Sequence, residues 1–292
     1  FYVQVFAPLH YLFVLLCGIR HFFILAAYSI LHFLCRRMMS KNTLLPVQTI
    51  LQSKGRLLDL SQPVVMGILN ATPDSFYTKD NLSDPSVLLR TAEQMVKDGA
   101  LLLDIGGTTT KPGTAVSDPG EELRRILPVI TTLHNRFPDV WLSVDTYHAA
   151  VAREAVLAGV SIVNDISSGN LDPQMLPMVA ELKVPYIAMH MQGTPLTMQQ
   201  NPQYDDVLFE VRDYLRQVCD KCRGAGITDV IIDPGFGFGK TIPHNFALLR
   251  GLHTFRILGR PVLAGLSRKS MIYKTLGVNP HKALNGTTAL NM

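Results

Sequence analysis

Ile231-Ile232-Asp233-Pro234-Gly235-Phe236-Gly237-Phe238-Gly239-Lys240 joins a short β-branched run to a carboxylate, then to a loop with glycine at every second position. The run reads as a buried strand with Asp233 at its C-terminal end. The glycines let the backbone bend and approach a ligand closely. The phenylalanines between them offer flat faces to a ring. These residues describe either a binding site for a planar polar molecule or a tight turn without ligand. Two phosphate-binding motifs are excluded. A P-loop requires glycine five residues before Gly239, where this chain has Pro234. The dinucleotide fingerprint requires Gly-x-Gly-x-x-Gly, and the spacing here is Gly-x-Gly-x-Gly.

Strand and helix signals alternate on both sides of this stretch. Val64–Asn70, Leu101–Ile105, Val140–Val144, Ser161–Val163 and Val184–Met189 read as strands upstream, and Pro261–Leu266 downstream. Helical patterns occupy residues 85–98, 119–136, 147–158, 173–182, 204–224 and about 243–251. The second opens with Pro119, Glu121 and Glu122, as a helix N-terminus prefers. With Val230–Ile232 this makes seven strand-then-helix units. Nearly all-apolar strands in such alternation mean a parallel sheet covered on its outer face. Without a dinucleotide fingerprint, the pattern predicts an α/β fold of the (β/α)8 TIM-barrel class, with the final β/α unit missing from this chain. Barrels of this class build their active site at the C-terminal ends of the strands. Those ends carry Asn70, Asp104, Asp145, Asn164, His190, Asp233 and Lys269.

The totals bound the class of protein. An apolar content of 47% and a charged content of 17% over 292 residues fit a globular chain with a large core. The formal charge of +4 owes most of its excess to Arg20, Arg36 and Arg37, so the barrel itself is nearly neutral and no nucleic-acid partner is expected. Cys219 and Cys222 lie on the helical stripe Val207, Leu208, Val211, Leu215, Val218, Cys222, which predicts reduced, part-buried thiols rather than a zinc site. The lack of a spaced cysteine framework favours a reducing compartment, and a cytoplasmic location is expected.

Residues 1–37 form a separate apolar leader. Its runs Leu9–Ile19 and Phe22–Leu34 each fall short of the roughly 20 residues a bilayer span requires, and Arg20-His21 divides them. Met38-Met39-Ser40-Lys41 looks like a translation start. The leader is therefore read as lying upstream of the true start, with a membrane anchor as the alternative. Residues 38–62 are a polar lead-in that could hold a hairpin, and residues 63–292 are the barrel. With seven strands, Val64–Leu69 and Pro261–Leu266 are expected to keep unpaired edges, and the natural protein is expected to continue past Met292 by one more unit.

Seven motifs, in order, resemble those of the dihydropteroate synthase family, whose members are pterin-binding barrels of the folate pathway. They are Gly67-Ile-Leu-Asn70-Ala-Thr-Pro-Asp74-Ser75-Phe76, Asp104-Ile-Gly-Gly-Thr-Thr-Thr110-Lys111-Pro112-Gly113, Ser143-Val-Asp145-Thr, Asn164-Asp165-Ile, Met189-His190-Met-Gln192-Gly193, Asp233 to Lys240, and Ser267-Arg-Lys269-Ser270. The resemblance runs from about residue 55 to the end.

It implies a transferase that joins 6-hydroxymethyl-7,8-dihydropterin pyrophosphate to 4-aminobenzoate, with magnesium on the pyrophosphate. Asp233 would accept two ring N–H groups of the pterin, an arrangement that keeps a buried carboxylate ionised. Asn164, Asp145 and Lys269 would meet other polar ring atoms, and Met189 is carried over as a further substrate-binding residue. Asn70 would contact magnesium or pyrophosphate. Thr110 and Lys111 would lie in a mobile loop that closes over the site. Aminobenzoate would sit between Thr110, Pro112, Phe238 and Ser270. The catalytic set implied is Asn70, Thr110, Lys111 and Lys269, and a homodimer is common in the family. Where the family has Ser-Thr-Arg-Pro-Gly this chain has Thr109-Thr110-Lys111-Pro112-Gly113, and lysine lacks the bidentate fork of arginine. The family's Arg-x-His pair on the last strand has no counterpart before Met292. Two other readings remain: a catalytically impaired pterin-binding paralogue, and a pterin-dependent methyltransferase barrel.

Overall fold

The computed structural model describes residues 2–6, 46–71, 85–108 and 118–292. In chain order the strands are β1 (Tyr2–Phe6), β2 (Ile50–Ser53), β3 (Arg56–Asp59), β4 (Val64–Asn70), β5 (Ala100–Gly106), β6 (Trp141–Asp145), β7 (Ile162–Asp165), β8 (Tyr186–Met189), β9 (Val230–Asp233) and β10 (Val262–Ala264). The helices are α1 (Pro85–Lys97), α2 (Pro119–Arg136), α3 (Ala149–Leu157), α4 (Met175–Leu182), α5 (Val207–Ala225), α6 (Ile242–Arg250), α7 (Ser270–Tyr273) and α8 (Leu284–Asn291), with a 3-10 turn at Leu252–Leu258 after α6.

Strands β4 to β10 run parallel in sequence order, the barrel architecture expected. The expected free edges are not found. Strand β1 lies antiparallel between β4 and β10 and closes the sheet, pairing Gln4 with Ala264 on one side and with Val65 on the other. Two open edges present rows of unpaired N–H and C=O groups, and the β-prone stretch Tyr-Val-Gln-Val-Phe satisfies both.

The strands are apolar on both faces because both are buried. Their outward side chains, such as Leu103, Val144, Val163, Ala188 and Ile232, pack under the helices. Their inward side chains Met66, Leu102, Ile162, Ile187, Ile231 and Leu263 fill the barrel, joined by Leu51, Leu58 and Leu60 from the lead-in. The lead-in is the hairpin foreseen: β2 pairs with β3 through Lys54 and Gly55, both at positive φ, the two-residue turn whose twist suits a hairpin. It plugs the N-terminal mouth of the barrel. Each fully buried leucine contributes about 1.5–3 kcal/mol relative to exposure. Arg56 seals the seam, with its guanidinium 4.6 Å over the Trp141 ring and its N–H groups donated to Pro138 O and Asp139 O. Among the described residues this hairpin covers the N-terminal end, which leaves the strands' C-terminal ends as the side for a ligand site.

Helix α5 begins three residues later than the apolar pattern alone indicates, because the Asp206 side chain accepts from Leu208 N and Phe209 N and sets the start. It buries Cys219 and Cys222 as free thiols, and burial pushes the Cys222 thiol up to about 12, as the stripe predicted. Among the described residues no helix is long and apolar enough to cross a membrane.

Candidate active site

Four strand-end positions form one row across the sheet. Asn70 pairs in register with Gly106, Gly106 with Asp145, and Asp145 with Asn164. Gly106 leaves a gap in that row. A Cβ there would lie 3.3 Å from Asn70 Oδ1 and 3.6 Å from Asp145 Oδ2, so the bare glycine lets the amide and the carboxylate close in on each other. Asn164 has a second tie: its Nδ2 donates to Asp104 Oδ2 at 2.9 Å, which fixes the orientation of the amide. Asp104 is buried, and its carboxyl is raised by that burial, against the nearby Ser143 hydroxyl and the Asn164 hydrogen bond. Asp145 is raised well above the usual range by burial, then by the charges of Asp104, Glu122 and Asp165, with Lys269 opposing.

The loop after Asn164 is held by Asp165, whose carboxylate accepts from Ser167 N, Ser167 Oγ, Gly169 N and Tyr186 Oη. Ser168 Oγ donates to Met189 O. Ile166, Met189 and Tyr147 thereby form a small apolar patch at the top of the barrel, against which Phe238 packs.

Asp233 ends β9, pairs in register with Met189, and accepts the Gly235 N–H at 2.7 Å. Gly235, Gly237 and Gly239 all have positive φ, near 70°, 83° and 59°. At Gly235 a Cβ would come within 1.9 Å of His190 O, so no other residue fits. Burial outweighs the Gly235 hydrogen bond and the charges of Lys269 and Lys240, and carries Asp233 up to about 6.

Lys269 reaches the same space from the neighbouring strand β10. After β10 the chain leaves the sheet at Gly265, earlier than the apolar run to Leu266 indicates, and turns through Arg268 at φ 51°. That turn sets Lys269 as the N-cap of α7, with Ser270 as the first helical residue. The Lys269 Nζ lies 4.3 Å from the Phe238 ring centre. Burial brings its ammonium down to about 8, against Asp233 and then Asp145.

Asn70, Asp145, Asn164, Met189, Asp233, Phe238, Lys269 and Ser270 all stand at the C-terminal end of the barrel. Thr110, Lys111 and Pro112 lie outside the described residues. Two residues close to the site had no role in the sequence reading, Asp104 as the partner of Asn164 and Lys240. The Lys240 Nζ is bonded to His190 Nδ1, Gly235 O and Phe238 O, each at 2.9 Å. Burial brings it down to about 7, with Asp233 opposing. A lysine at the end of a Gly-rich loop, with no Asp or Glu after it in the sequence, is the available signal.

Among the described residues no three His, Cys, Asp or Glu side chains gather to hold a metal ion. Asn70 offers one neutral amide oxygen beside Gly106. That donor set does not build a resident metal centre. It suits a magnesium ion that keeps several waters and arrives on a substrate's phosphates.

Residues 66–291 match the family described as pterin binding enzyme. The dihydropteroate synthase of Escherichia coli (strain K12) is 45% identical over 242 residues, covering 81% of this chain and 84% of that protein. The Yersinia pestis dihydropteroate synthase, solved as a sulfonamide drug complex, aligns with a TM-score of 0.79 at 43% identity, over 82% of this chain and 88% of that one. The Xanthomonas albilineans dihydropteroate synthase, solved with 4-aminobenzoic acid, gives 0.76 at 40% identity, over 84% and 88%. With a carboxylate, an amide and a lysine converging on a slot at the mouth of such a barrel, and similarity of this extent, the chain belongs to the pterin binding enzymes, among the dihydropteroate synthases.

Proposed function

We propose that the chain condenses 6-hydroxymethyl-7,8-dihydropterin pyrophosphate with 4-aminobenzoate, giving 7,8-dihydropteroate and pyrophosphate. The observation that carries this reading is the buried group Asp233, Lys269 and Asp145, coupled by charge and roofed by Phe238. A pterin edge presents an amino group beside a ring N–H, and an ionised Asp233 accepts both. Lys269, Asp145 and Asn164 serve the remaining polar atoms of the ring, with Met189 beneath it. The Phe238 ring and Ser270, with Thr110 and Pro112, form the aminobenzoate side.

The bond from the pterin methylene carbon to the pyrophosphate oxygen breaks first, and its electron pair leaves with pyrophosphate. Cationic character develops on the methylene carbon. The aminobenzoate nitrogen then forms the new C–N bond and loses one proton. Preorganised dipoles and carboxylates stabilise the cation without reorganising. Water has to be excluded, since it would capture the cation in place of the amine. Thr110 and Lys111 are assigned to that end by the family resemblance. Asn70 would hold the pyrophosphate or a magnesium ion carried on it, and such an ion would supply charge that neutralises the leaving group.

Incubating the full chain with the pterin pyrophosphate, 4-aminobenzoate and magnesium, with released pyrophosphate followed by a coupled assay, tests the reading. Formation of dihydropteroate that requires both substrates is expected. Pterin binding with no product under these conditions would favour the impaired paralogue instead.

A further inference from the structure

The Gly-rich loop and the segment after β8 are separate motifs in the sequence, and one buried ammonium joins them. Lys240 is 3% exposed. Its Nζ donates to Gly235 O, Phe238 O and His190 Nδ1, all at 2.9 Å, and lies 3.3 Å from His190 O. An ammonium has three protons, and three acceptors at 2.9 Å use them all. The histidine can accept only if neutral. Burial, with the Lys240 charge beside it, brings His190 down to about 2, so the Nδ1 lone pair faces Lys240 and the ring proton sits on Nε2.

The rest of the loop is tied off from other sides. Gly237 O accepts from Gln199 Nε2, and Gly239 O from Tyr204 Oη, both at 2.7 Å. Gly237 N donates to Asn245 Oδ1 at 2.7 Å. The carbonyls of Gly235, Gly237, Phe238 and Gly239 are thus all engaged by protein, and what the loop presents to the slot is the Phe238 ring over Lys269.

We infer that Lys240 is a positioning residue for the aminobenzoate half of the reaction: it holds the Gly235–Gly239 backbone in the shape that keeps Phe238 over Lys269, with His190 Nδ1 as its required acceptor. The inference rests on the reading of the activity above. Lys240 itself meets no ligand. Removing its charge strands two carbonyls and an imidazole nitrogen in a buried site, and the loop relaxes to find other partners. Asp233, Asn164 and Asp145 are anchored on strands, so the pterin half loses less than the aminobenzoate half, its share coming through the Gly235 N–H and the Lys240 charge that act on Asp233.

Lys240→Met, His190→Phe and His190→Asn in the full chain test this near neutral pH. Methionine keeps length without charge. Phenylalanine keeps ring shape without the acceptor, whereas the asparagine Oδ1 stands in for Nδ1. The KM for aminobenzoate should rise about tenfold or more in Lys240→Met and His190→Phe, with pterin pyrophosphate Kd within about threefold of the parent. His190→Asn should recover most of the loss. Amide hydrogen exchange at Gly237 and Phe238 should quicken in the first two variants and less in the third. Equal losses for both substrates, or identical behaviour of the two His190 variants, would overturn the inference. If Lys240→Met does not fold, the His190 pair decides alone. If the parent makes no dihydropteroate, the reading of the activity fails, and the exchange data still decide: unchanged exchange in the loss variants removes Lys240 as the staple.

Discussion

Lys269 Nζ lies 4.3 Å from the centre of the Phe238 ring, and each of the two residues depends on the other. The ring face stabilises a buried ammonium by about 0.5–2 kcal/mol, and the ammonium fixes the ring. Phe238→Leu keeps apolar volume and removes the π face. It should raise the KM for aminobenzoate about three- to thirtyfold, the kinetic equivalent of that energy, while the barrel stays folded. Steady-state kinetics with circular dichroism as control check this, and an unchanged KM would remove Phe238 from the aminobenzoate side.

The pH dependence follows from two opposite shifts. Asp233 is raised by burial to about 6, so as pH falls through 6 it gains a proton and loses the capacity to accept two N–H groups. Lys269 is lowered by burial to about 8, so as pH rises through 8 it loses its charge. Pterin affinity should therefore peak between about 6 and 8 and fall on both sides. Titration calorimetry across that range measures it. A flat profile from about 5 to 9 would show that neither group is coupled to the ligand.

Asp233→Asn should abolish measurable pterin binding. An amide supplies one acceptor and a mismatched donor where two ring N–H groups arrive, which costs about 2–5 kcal/mol through the lost charge-assisted pair and the unpaired groups. Calorimetry with the pterin pyrophosphate decides the matter, and retained affinity would sink the assignment of this carboxylate.

Much of this site was legible because chemistry and topology coincide. Near-continuous apolar runs can only be strands buried on both faces, so their polar end residues Asn70, Asp145, Asn164 and Asp233 fell on one rim. The sequence reading failed where a partner is backbone or distant. Lys240 bonds mainly to carbonyls, which leave no side-chain signature. Asp104 meets Asn164 across sixty positions of sequence. The length of β10 was overread because Gly265 and Leu266 are apolar yet belong to the turn that delivers Lys269. Pairing of Tyr2–Phe6 with two strands far along the chain depends on geometry that an apolar leader does not announce.

Gly235→Ala should be severely destabilising. The residue holds φ near 70°, and a Cβ there would lie 1.9 Å from His190 O, a backbone atom tied to its own strand end. Left-handed backbone alone costs a non-glycine residue about 1–3 kcal/mol, and the clash forces the two site segments apart. A clear fall in Tm, with loss of binding for both substrates, is expected in a thermal melt. A near-parental Tm would mean that the two segments yield more easily than their hydrogen bonds indicate.

Asn70→Ala should lower turnover more than pterin affinity. Asn70 ends β4 in the same row as Asp145 and Asn164, and its amide oxygen lies against Gly106. It carries no charge to anchor the pterin edge, a role proposed for Asp233 at the end of β9 and Lys269 after β10. Its value lies in the negative charge that gathers on pyrophosphate as the C–O bond breaks, either directly or through the magnesium that comes with it. An interaction made mainly in the transition state appears in kcat and not in ground-state binding. Loss of a single such contact costs about 10- to 1,000-fold in turnover. The expected result is a kcat reduced within that range at saturating substrates, with pterin pyrophosphate Kd changed less than about fivefold. The loss should shrink when magnesium is raised, if the amide holds the ion. A variant that binds pterin poorly but turns over at the parental rate would place Asn70 on the ring and not on the leaving group.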